Sequence, residues 1–224
     1  MNPLTAAFKK TSIYRNFFGH KKFHFITELK KGAALLDIGC GNHSPSIYKG
    51  LNPGIEYVGL DIEEYFMDEN DYKIASKIVF VDRHAFAESI KGMGMSFDAV
   101  VSAHNLEHTD KPFDVIEAMM FSLKKGGRLY LSFPTERSAF FPKRKGTLNF
   151  YDDPTHNYLP NVDKVCSEII KHHGKVVFAR KRYRAAFGFI KGALQEPVSW
   201  VTKKNYSNTW NFWGFETVII AEKV

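Results

Sequence analysis

Short apolar runs recur along the chain between residues 35 and 133, and turn residues or helical patterns separate them. The runs predict five strands, at 35–38, 57–60, 77–82, 97–103 and 128–133. After the fourth run, the apolar side chains of Phe113, Ile116, Met119, Met120 and Leu123 have the spacing of an α-helix. Strands that alternate with helices predict an α/β fold, in which helices cover both faces of a parallel sheet.

The segments that follow residue 133 add two strands and one helix to the predicted fold. The runs at 175–179 and 214–222 predict a sixth and a seventh strand, and residues 162–173 have a helical pattern. The lysines and glycines at 124–127 are expected to end the helix that precedes the fifth strand. The acidic segment 68–72 is expected to be a loop or a frayed helix.

Two glycines follow the first strand, in the stretch Asp37-Ile38-Gly39-Cys40-Gly41. Glycines two apart let the backbone turn sharply and come close to a ligand, and Ser44-Pro45 suits the start of a helix. A strand, a glycine turn and a helix predict the first unit of a nucleotide-binding sheet. The carboxylate of Asp37 would repel a pyrophosphate, so it favours a cationic ligand that has no phosphate.

Carboxylates also stand at the ends of the next two predicted strands. Asp61 follows the second strand, 20 residues after Gly41, where a carboxylate can accept hydrogen bonds from ribose hydroxyls. Asp82 ends the third strand. Because the carboxyl ends of the strands in an open α/β sheet face the ligand crevice, we expect both side chains to lie beside it.

Taken in order, these motifs resemble those of the class I S-adenosylmethionine (SAM)-dependent methyltransferases. The likeness covers roughly residues 30–135 and rests on Asp-x-Gly-x-Gly at 37–41, Val-Gly-Leu-Asp-Ile at 58–62, Phe-Asp-Ala-Val at 97–100, Leu-Glu-His at 106–108 and Leu-Lys-Lys-Gly-Gly-Arg-Leu-Tyr-Leu-Ser at 123–132. The family often has a third glycine where His43 stands. The resemblance implies a Rossmann-like, seven-stranded, mostly parallel sheet whose last strand is antiparallel, with SAM as the cofactor.

The resemblance also implies where SAM would bind. The glycine loop would cradle its amino-acid end, Asp61 would bind the ribose, and Asp82 and Arg83 would lie at the adenine. The cofactor-binding residues predicted in this way are Asp37, Gly39, Gly41, Asp61, Ile62, Asp82, Arg83, Ala103 and His104.

Catalysis of methyl transfer needs little more than alignment, because the sulfonium of SAM is already activated. A hydroxyl acceptor must also lose its proton, and a nearby histidine or carboxylate can take it. Such side chains follow the fourth strand and stand in the insertion after the fifth. We therefore expect catalysis by His108, His156 or Glu107.

Two other interpretations of these residues stay open. A divalent metal is not an expected cofactor, but His104, Glu107, His108 and His156 are candidate ligands for one. Metal-dependent small-RNA 3′-end methyltransferases have a similar Glu-His pair and a distant histidine. Alternatively, these side chains only hydrogen-bond the loop and shape the pocket.

A long loop rich in aromatic residues follows the fifth strand, at 134–160. Long loops over a crevice are commonly functional. Its core, Tyr-Asp-Asp-Pro-Thr-His at 151–156, looks like that of bacterial methyltransferases associated with surface-polysaccharide synthesis. This likeness implies O-methylation of a sugar or glycan hydroxyl. RNA, a quinone-like small molecule as acceptor, and a SAM-binding module without catalysis are the alternatives.

The chain is basic, with a net charge of +7 at pH 7. Two basic clusters, 143–145 and 180–184, follow predicted strand ends. If they meet at the crevice, they form a positive collar that suits a phosphate-bearing acceptor or RNA. Residues 1–31 are predicted to form two amphipathic helices, broken near Gly19. The resemblance implies that they cover the cofactor as a lid, and packing on the edge of the sheet is the alternative.

Composition indicates one domain over residues 1–224 in a reducing compartment. No apolar run reaches the roughly 20 residues that span a bilayer, and the first ten residues lack the apolar core of a signal peptide. Cys40 and Cys166 have neither disulfide nor zinc spacing. We therefore expect a cytoplasmic protein, whose oligomeric state the sequence leaves open.

Overall fold

The structure, a computed structural model, describes residues 21–224 of the chain. Within them, seven strands form one sheet in the order β3-β2-β1-β4-β5-β7-β6. The strands are β1 (Ala34–Ile38), β2 (Glu56–Asp61), β3 (Lys77–Phe80), β4 (Phe97–Ala103), β5 (Leu123–Pro134), β6 (Gly174–Tyr183) and β7 (Glu216–Lys223). The helices are α1 (Lys21–Thr27), α2 (Ser44–Leu51), α3 (Glu69–Ile74), α4 (Phe86–Gly92), α5 (Pro112–Ser122), α6 (Val162–Lys171), α7 (Ala186–Thr202) and α8 (Thr209–Trp213).

The sheet is mostly parallel. Strands β1 to β5 pair with parallel neighbours, and β7 runs antiparallel to both β5 and β6. The predicted fold class is therefore confirmed. The strand order reverses between β1 and β4, and in sheets of this type a ligand crevice forms at that point, outside the carboxyl ends of the strands.

Alternate side chains of each strand pack into different clusters, one on each face of the sheet. On β1, Leu36 and Ile38 belong to the cluster that includes the apolar faces of α4, α5 and α6. Leu35 belongs to the opposite cluster, together with Tyr57 of β2 and Tyr130 of β5. Burial on both faces explains why these strands have no polar alternation.

The structure corrects the predicted end of the helix before β5. Residues 124–127 do not cap it: α5 ends at Ser122, and Leu123 already pairs with Phe97 in the sheet. Because Leu123 is fully buried there, sheet pairing and burial favour extended backbone over another helical turn. Gly126, with φ 77°, lies in the irregular start of β5.

Other parts of the predicted outline also differ from the structure. The segment expected to be a loop or a frayed helix forms α3, which a capping box between Asp68 and Asp71 begins. β3 ends at Phe80 because the carboxylate of Asp82 caps the turn that follows. The basic and aromatic stretch after β6, for which no helix was predicted, contains α7 and α8.

The predicted lid over residues 1–31 is described only from Lys21 onward. There, α1 buries Phe25 and Ile26 against the sheet. Residues 1–20 lie outside the described residues, so the lid and the single domain over 1–224 stay predictions. No helix of the described part of the chain is long and apolar enough to cross a bilayer, and the cytoplasmic location stays a prediction.

Candidate active site

A crevice opens at the carboxyl ends of β1, β2 and β4, where the strand order reverses. Its volume is about 830 Å³, which is enough for a nucleoside cofactor and a small acceptor. Among the described residues, its wall has twice as many carboxylates as lysines and arginines: Asp61, Glu63, Glu88, Glu107, Asp110 and Asp153 against Lys22, Arg83 and Lys111. This excess of negative charge favours a cationic ligand.

The glycine turn after β1 touches two other loops, which explains its glycines. Gly39 has a left-handed φ of 81°, and a Cβ there would lie 2.9 Å from Nδ2 of Asn105. A Cβ on Gly41 would lie 2.8 Å from the carbonyl oxygen of Tyr65. Both glycines lie on the crevice wall, so the turn has the close backbone approach that the predicted SAM cradle requires.

His43 stands where the family often has a third glycine, and its backbone is left-handed, with φ 55°. A left-handed backbone is unfavourable for most residues other than glycine. Nδ1 of His43 lies 2.7 Å from Oδ2 of Asp71, which is fully buried. This contact holds the turn in the shape that a glycine would adopt, so the departure from the family pattern leaves the geometry of the turn intact.

Asp37 lies beneath the turn and is absent from the crevice wall. It is buried and accepts a 2.5 Å hydrogen bond from the hydroxyl of Tyr57. Burial outweighs this hydrogen bond and raises the pKa of Asp37 to about 7. Asp37 therefore supports the turn from inside, and a direct contact with SAM stays a prediction.

Asp61 and Ile62 lie on the crevice wall, where β2 ends. The backbone N–H groups of Gly41 and Ile62 donate to the carboxylate of Asp61 over 3.2 and 2.8 Å. Burial raises the pKa of Asp61. The side chain thus joins β2 to the glycine turn and stands at the place predicted for ribose binding.

The two residues predicted at the adenine lie on different sides of their loop. The carboxylate of Asp82 accepts a 2.8 Å hydrogen bond from the backbone N–H of His84 and is absent from the crevice wall. Arg83 is on the wall, and its guanidinium donates to the carbonyl oxygen of His108 over 2.6 Å. Arg83 thereby ties this loop to the loop that carries the catalytic candidates.

Ala103 and His104 complete the predicted cofactor wall at the end of β4. His104 lies between two carboxylates, with Nδ1 3.1 Å from Glu107 and Nε2 3.4 Å from Glu216. Burial alone would lower the pKa of His104, but hydrogen bonds and charges of both carboxylates outweigh it and raise the pKa to about 9. Both ring nitrogens of His104 therefore face carboxylates, and its role as a candidate metal ligand stays a prediction.

The other three candidates meet in one cluster. Ligand atoms of Glu107, His108 and His156 lie within 4.8 Å of one another, and the ring centroids of His108 and His156 are 4.8 Å apart. Glu107 is fully buried, and its Oε2 has no hydrogen-bond partner. The sequence placed these residues in separate loops, and the fold brings them together on the crevice wall.

A chain of hydrogen bonds orients His108. The hydroxyl of Thr155 donates to the carboxylate of Asp153 over 2.6 Å and lies 2.9 Å from Nδ1 of His108. The hydroxyl can therefore accept from Nδ1–H, which assigns the proton to Nδ1 and leaves Nε2 with a lone pair. His156 follows the same pattern, because its Nδ1 lies 2.6 Å from the carbonyl oxygen of Phe150.

The insertion at 134–160 is anchored beside this cluster. The backbone N–H groups of Asn157 and Tyr158 both donate to the carbonyl oxygen of Glu107, over 2.8 and 3.1 Å. Thr147, Asp153, Thr155 and His156 of the insertion line the crevice. The expectation that this loop lies at the crevice is confirmed.

The predicted positive collar is wrong, because no residue of 143–145 or 180–184 lies on the described crevice wall. Arg144 is buried and forms an ion pair of 2.6 Å with Glu196 of α7. Arg182 donates to the carbonyl oxygen of Trp213. These guanidiniums have partners within the fold, which spacing along the chain could not indicate.

Several wall residues were not predicted from the sequence. Tyr65 closes over the glycine turn, and Trp210 and Phe215 stack on each other with ring centroids 4.4 Å apart. Trp210 belongs to the aromatic stretch before β7. The composition of that stretch is visible in the sequence, but its location at the crevice is not. Thr155 and Asp153 stand beside His156 in the motif, yet their link to His108 depends on a contact 47 residues away in the chain.

Comparison with known proteins finds similarity to methyltransferases. A family profile described as a methyltransferase domain matches residues 36–129. The chain is 34% identical over 108 residues to 27-O-demethylrifamycin SV methyltransferase of Amycolatopsis mediterranei (strain S699), a match that covers 46% of this chain and 39% of that protein. The chain thus spans well under half the length of this curated relative.

Solved structures share the fold at low sequence identity. A SAM-dependent methyltransferase from Archaeoglobus fulgidus is similar with a TM-score of 0.55 and 20% identity, over 98% of this chain and 99% of that one. Haemonchus contortus phosphoethanolamine N-methyltransferase 2, solved with phosphomonomethylethanolamine and S-adenosylhomocysteine, is similar with a TM-score of 0.60 and 15% identity. That match covers 99% of this chain and 58% of the other.

Proposed function

We propose that this chain is a class I SAM-dependent methyltransferase and that it transfers the methyl group of SAM to a hydroxyl of a sugar or glycan. SAM supplies an activated methyl group on a sulfonium, so the protein has to bind, align and, for a hydroxyl acceptor, remove a proton. The residues of the crevice fit each of these tasks.

The wall fits a cationic nucleoside. The turn at Gly39 and Gly41 lies on the crevice wall, where its backbone can contact a ligand, and Asp61 offers a carboxylate for the ribose hydroxyls. Ile62, which is 42% exposed, gives an apolar surface beside it. We assign the amino-acid end of SAM to the glycine turn, the ribose to Asp61 and the adenine to the wall at Ile62 and Arg83.

The hydrogen-bond chain from Asp153 through Thr155 to His108 carries the proposal for catalysis. It fixes the ring of His108 and leaves its Nε2 as a proton acceptor on the crevice wall. A histidine held in this way is a general base for a hydroxyl that attacks a methyl group. His156 lies against it and is the second candidate for the same role.

The choice of a sugar hydroxyl rests on the likeness of the 151–156 motif to methyltransferases associated with surface polysaccharides. The name of the curated relative, which refers to a 27-O-demethyl acceptor, supports transfer to oxygen. RNA is less favoured, because the arginines expected to grip its phosphates are engaged elsewhere. A quinone-like molecule and a SAM-binding module without catalysis remain the alternatives to be tested.

A methyl-acceptor assay tests the proposal. The protein is incubated with SAM labelled in its methyl group and with sugar nucleotides, lipid-linked glycans, RNA or phenolic compounds in parallel. We expect label in a sugar-containing acceptor. Label in RNA alone would overturn the acceptor, and binding of S-adenosylhomocysteine without transfer to any acceptor would indicate a module without catalysis.

Variants then test the base. His108→Asn should lower kcat by about 100-fold or more, and Thr155→Val should lower kcat and shift the pH profile without changing SAM affinity. His173→Asn is the matched control, because His173 lies outside the crevice wall and its left-handed backbone, φ 62°, tolerates asparagine. Equal kcat in all three variants would exclude His108 as the base.

A metal at the same cluster is the second candidate, and one observation favours it. Oε2 of Glu107 is buried without a partner next to two histidine nitrogens that have lone pairs, and two histidines with a carboxylate are a common ligand set. Treatment with a chelator separates the two mechanisms. Activity that disappears and returns with Mg²⁺, Mn²⁺ or Zn²⁺ would favour a metal, and unchanged activity would favour the base.

A further inference from the structure

Helix α7 presents its apolar side chains to solvent. Ile190, Leu194, Val198 and Val201 are 58, 76, 52 and 72% exposed, and their spacing of three and four residues places them on one face. Trp200 adds another ring that is 62% exposed. A helix on the surface of a globular protein normally turns such a stripe towards the core, so this face needs an explanation.

The inward face of α7 is small and polar, and it fixes the orientation of the helix. Ser199 is fully buried and donates to the carbonyl oxygen of Lys204, while Glu196 holds the buried guanidinium of Arg144. A Cβ on Gly192 would collide with the carbonyl oxygen of Asn208. Rotating α7 to bury its apolar stripe would break these contacts, so the stripe is held outward by the fold.

Positive charge borders the stripe. Lys191 lies over the ring of Phe187, and Lys203 over that of Trp200, with Nζ 4.5 and 4.8 Å from the ring centroids. Lys203 and Lys204 follow the helix, and Lys145 of the insertion joins them, because its backbone N–H donates to the carbonyl oxygen of Lys203 over 2.9 Å. The basic cluster at 143–145 thus lies beside the end of α7.

Negative charge is absent from the exposed face of α7. Its one acidic residue, Glu196, is largely buried and paired with Arg144. Apolar side chains with an aromatic ring near one end and lysines at the rim are the composition of a helix that lies in the interface of an anionic bilayer. A second copy of the chain is a poorer occupant, since it would bring the same lysines together.

We propose that α7 is a membrane-surface helix, which docks this protein on a bilayer that contains anionic lipids. The stripe enters the boundary between headgroups and acyl chains, and Lys145, Lys191, Lys203 and Lys204 bind the lipid phosphates. The helix lies on the membrane and does not cross it, in agreement with the lack of a spanning helix among residues 21–224. This docking is independent of the acceptor.

Co-sedimentation of the full-length protein with vesicles tests the proposal. We expect the protein to pellet with vesicles of phosphatidylcholine and phosphatidylglycerol, to pellet less at high salt, and to stay in solution with phosphatidylcholine alone. Leu194→Gln with Val198→Gln should weaken binding by about tenfold or more, because both side chains lose apolar burial. Lys203→Gln with Lys204→Gln should remove the preference for the anionic lipid.

The matched control is Ile170→Gln, because Ile170 is 60% exposed on α6, a different helix. It should bind vesicles as the wild type does. A blue shift of tryptophan emission on vesicle addition, lost in Trp200→Phe, would locate the contact. Thermal unfolding followed by circular dichroism identifies variants that are folded.

Three results would overturn the proposal. One is no pelleting with anionic vesicles, and another is pelleting that the Leu194→Gln, Val198→Gln variant does not reduce. The third is a dimer in sedimentation velocity that this double variant dissociates, which would make the stripe an interface between copies. Failure of SAM binding would instead contradict the function proposed for the crevice. It would not change the interpretation of the vesicle experiment.

Discussion

Protonation of the buried carboxyl group of Asp37 makes the stability of the folded protein depend on pH. Burial raises the pKa of Asp37 to about 7, from 3.8 in the unfolded chain. Between these values the folded state keeps a proton that the unfolded state has lost. The contribution to stability is therefore full below about pH 4 and is lost as the pH rises through 7.

Asp37→Asn keeps a neutral partner for Tyr57 and removes this titration. We expect the free energy of unfolding of the wild type to fall relative to that of the variant by up to about 4 kcal/mol between pH 4 and pH 8. Urea unfolding of both proteins across this range measures the difference. A constant gap between the two curves would mean that Asp37 is ionised throughout.

Residue identity predicted which residues line the crevice better than it predicted which contacts hold them there. Gly39, Gly41 and Asp61 could be located because their chemistry is local: a turn, a close approach and a strand end. The support of His108 by Thr155 could not, because it joins loops 47 residues apart. The ion pair of Arg144 with Glu196 could not be predicted for the same reason. From the sequence alone, this buried arginine could not be distinguished from an exposed one.

The strands were the elements that the hydrophobic pattern predicted most closely. β4 has its predicted limits, Phe97 and Ala103, because both ends coincide with a change from apolar to polar residues. α7 was not predicted, although Ile190, Leu194, Val198 and Val201 have the spacing of a helix face; the pattern did not indicate that this apolar face lies towards solvent. The sequence pattern does not show which face of this helix is buried. The contacts of Ser199 and Glu196 set the orientation of α7.

The ion pair between Arg144 and Glu196 joins the insertion to α7, and a double-mutant cycle measures its role. Arg144→Met leaves the carboxylate of Glu196 without its partner in a largely buried place, which should cost about 3–5 kcal/mol in unfolding free energy. Arg144→Met with Glu196→Met should recover most of that loss, because no charge stays unpaired. Urea unfolding of the wild type, Arg144→Met, Glu196→Met and the double variant provides the four values of the cycle.

Lys181→Met is a control for this cycle, since its ion pair with Asp163 is exposed. We expect it to cost less than about 1 kcal/mol. A similarly small cost for Arg144→Met would contradict the structural role given to the buried pair, and would return Arg144 to the set of residues free to bind an acceptor.

At the scale of the molecule, the topology creates the site. Parallel strands β1, β2 and β4 deliver Gly39, Asp61 and His104 to one edge of the sheet, and the insertion after β5 closes that edge with Thr155 and His156. The fold class followed from alternation of strands and helices alone. The closure of the crevice by Trp210 of α8 and by Phe215, which precedes β7, depends on tertiary packing that no local pattern encodes.

The central claim is that this crevice binds SAM through the glycine turn and Asp61. Titration calorimetry of the full chain with S-adenosylhomocysteine tests it most directly, with Asp61→Asn as the variant and Asp163→Asn, an exposed aspartate on α6, as the control. We predict saturable binding to the wild type and to the control, and affinity lower by about tenfold or more in Asp61→Asn. No binding to the wild type, or equal affinity in Asp61→Asn, would contradict the account.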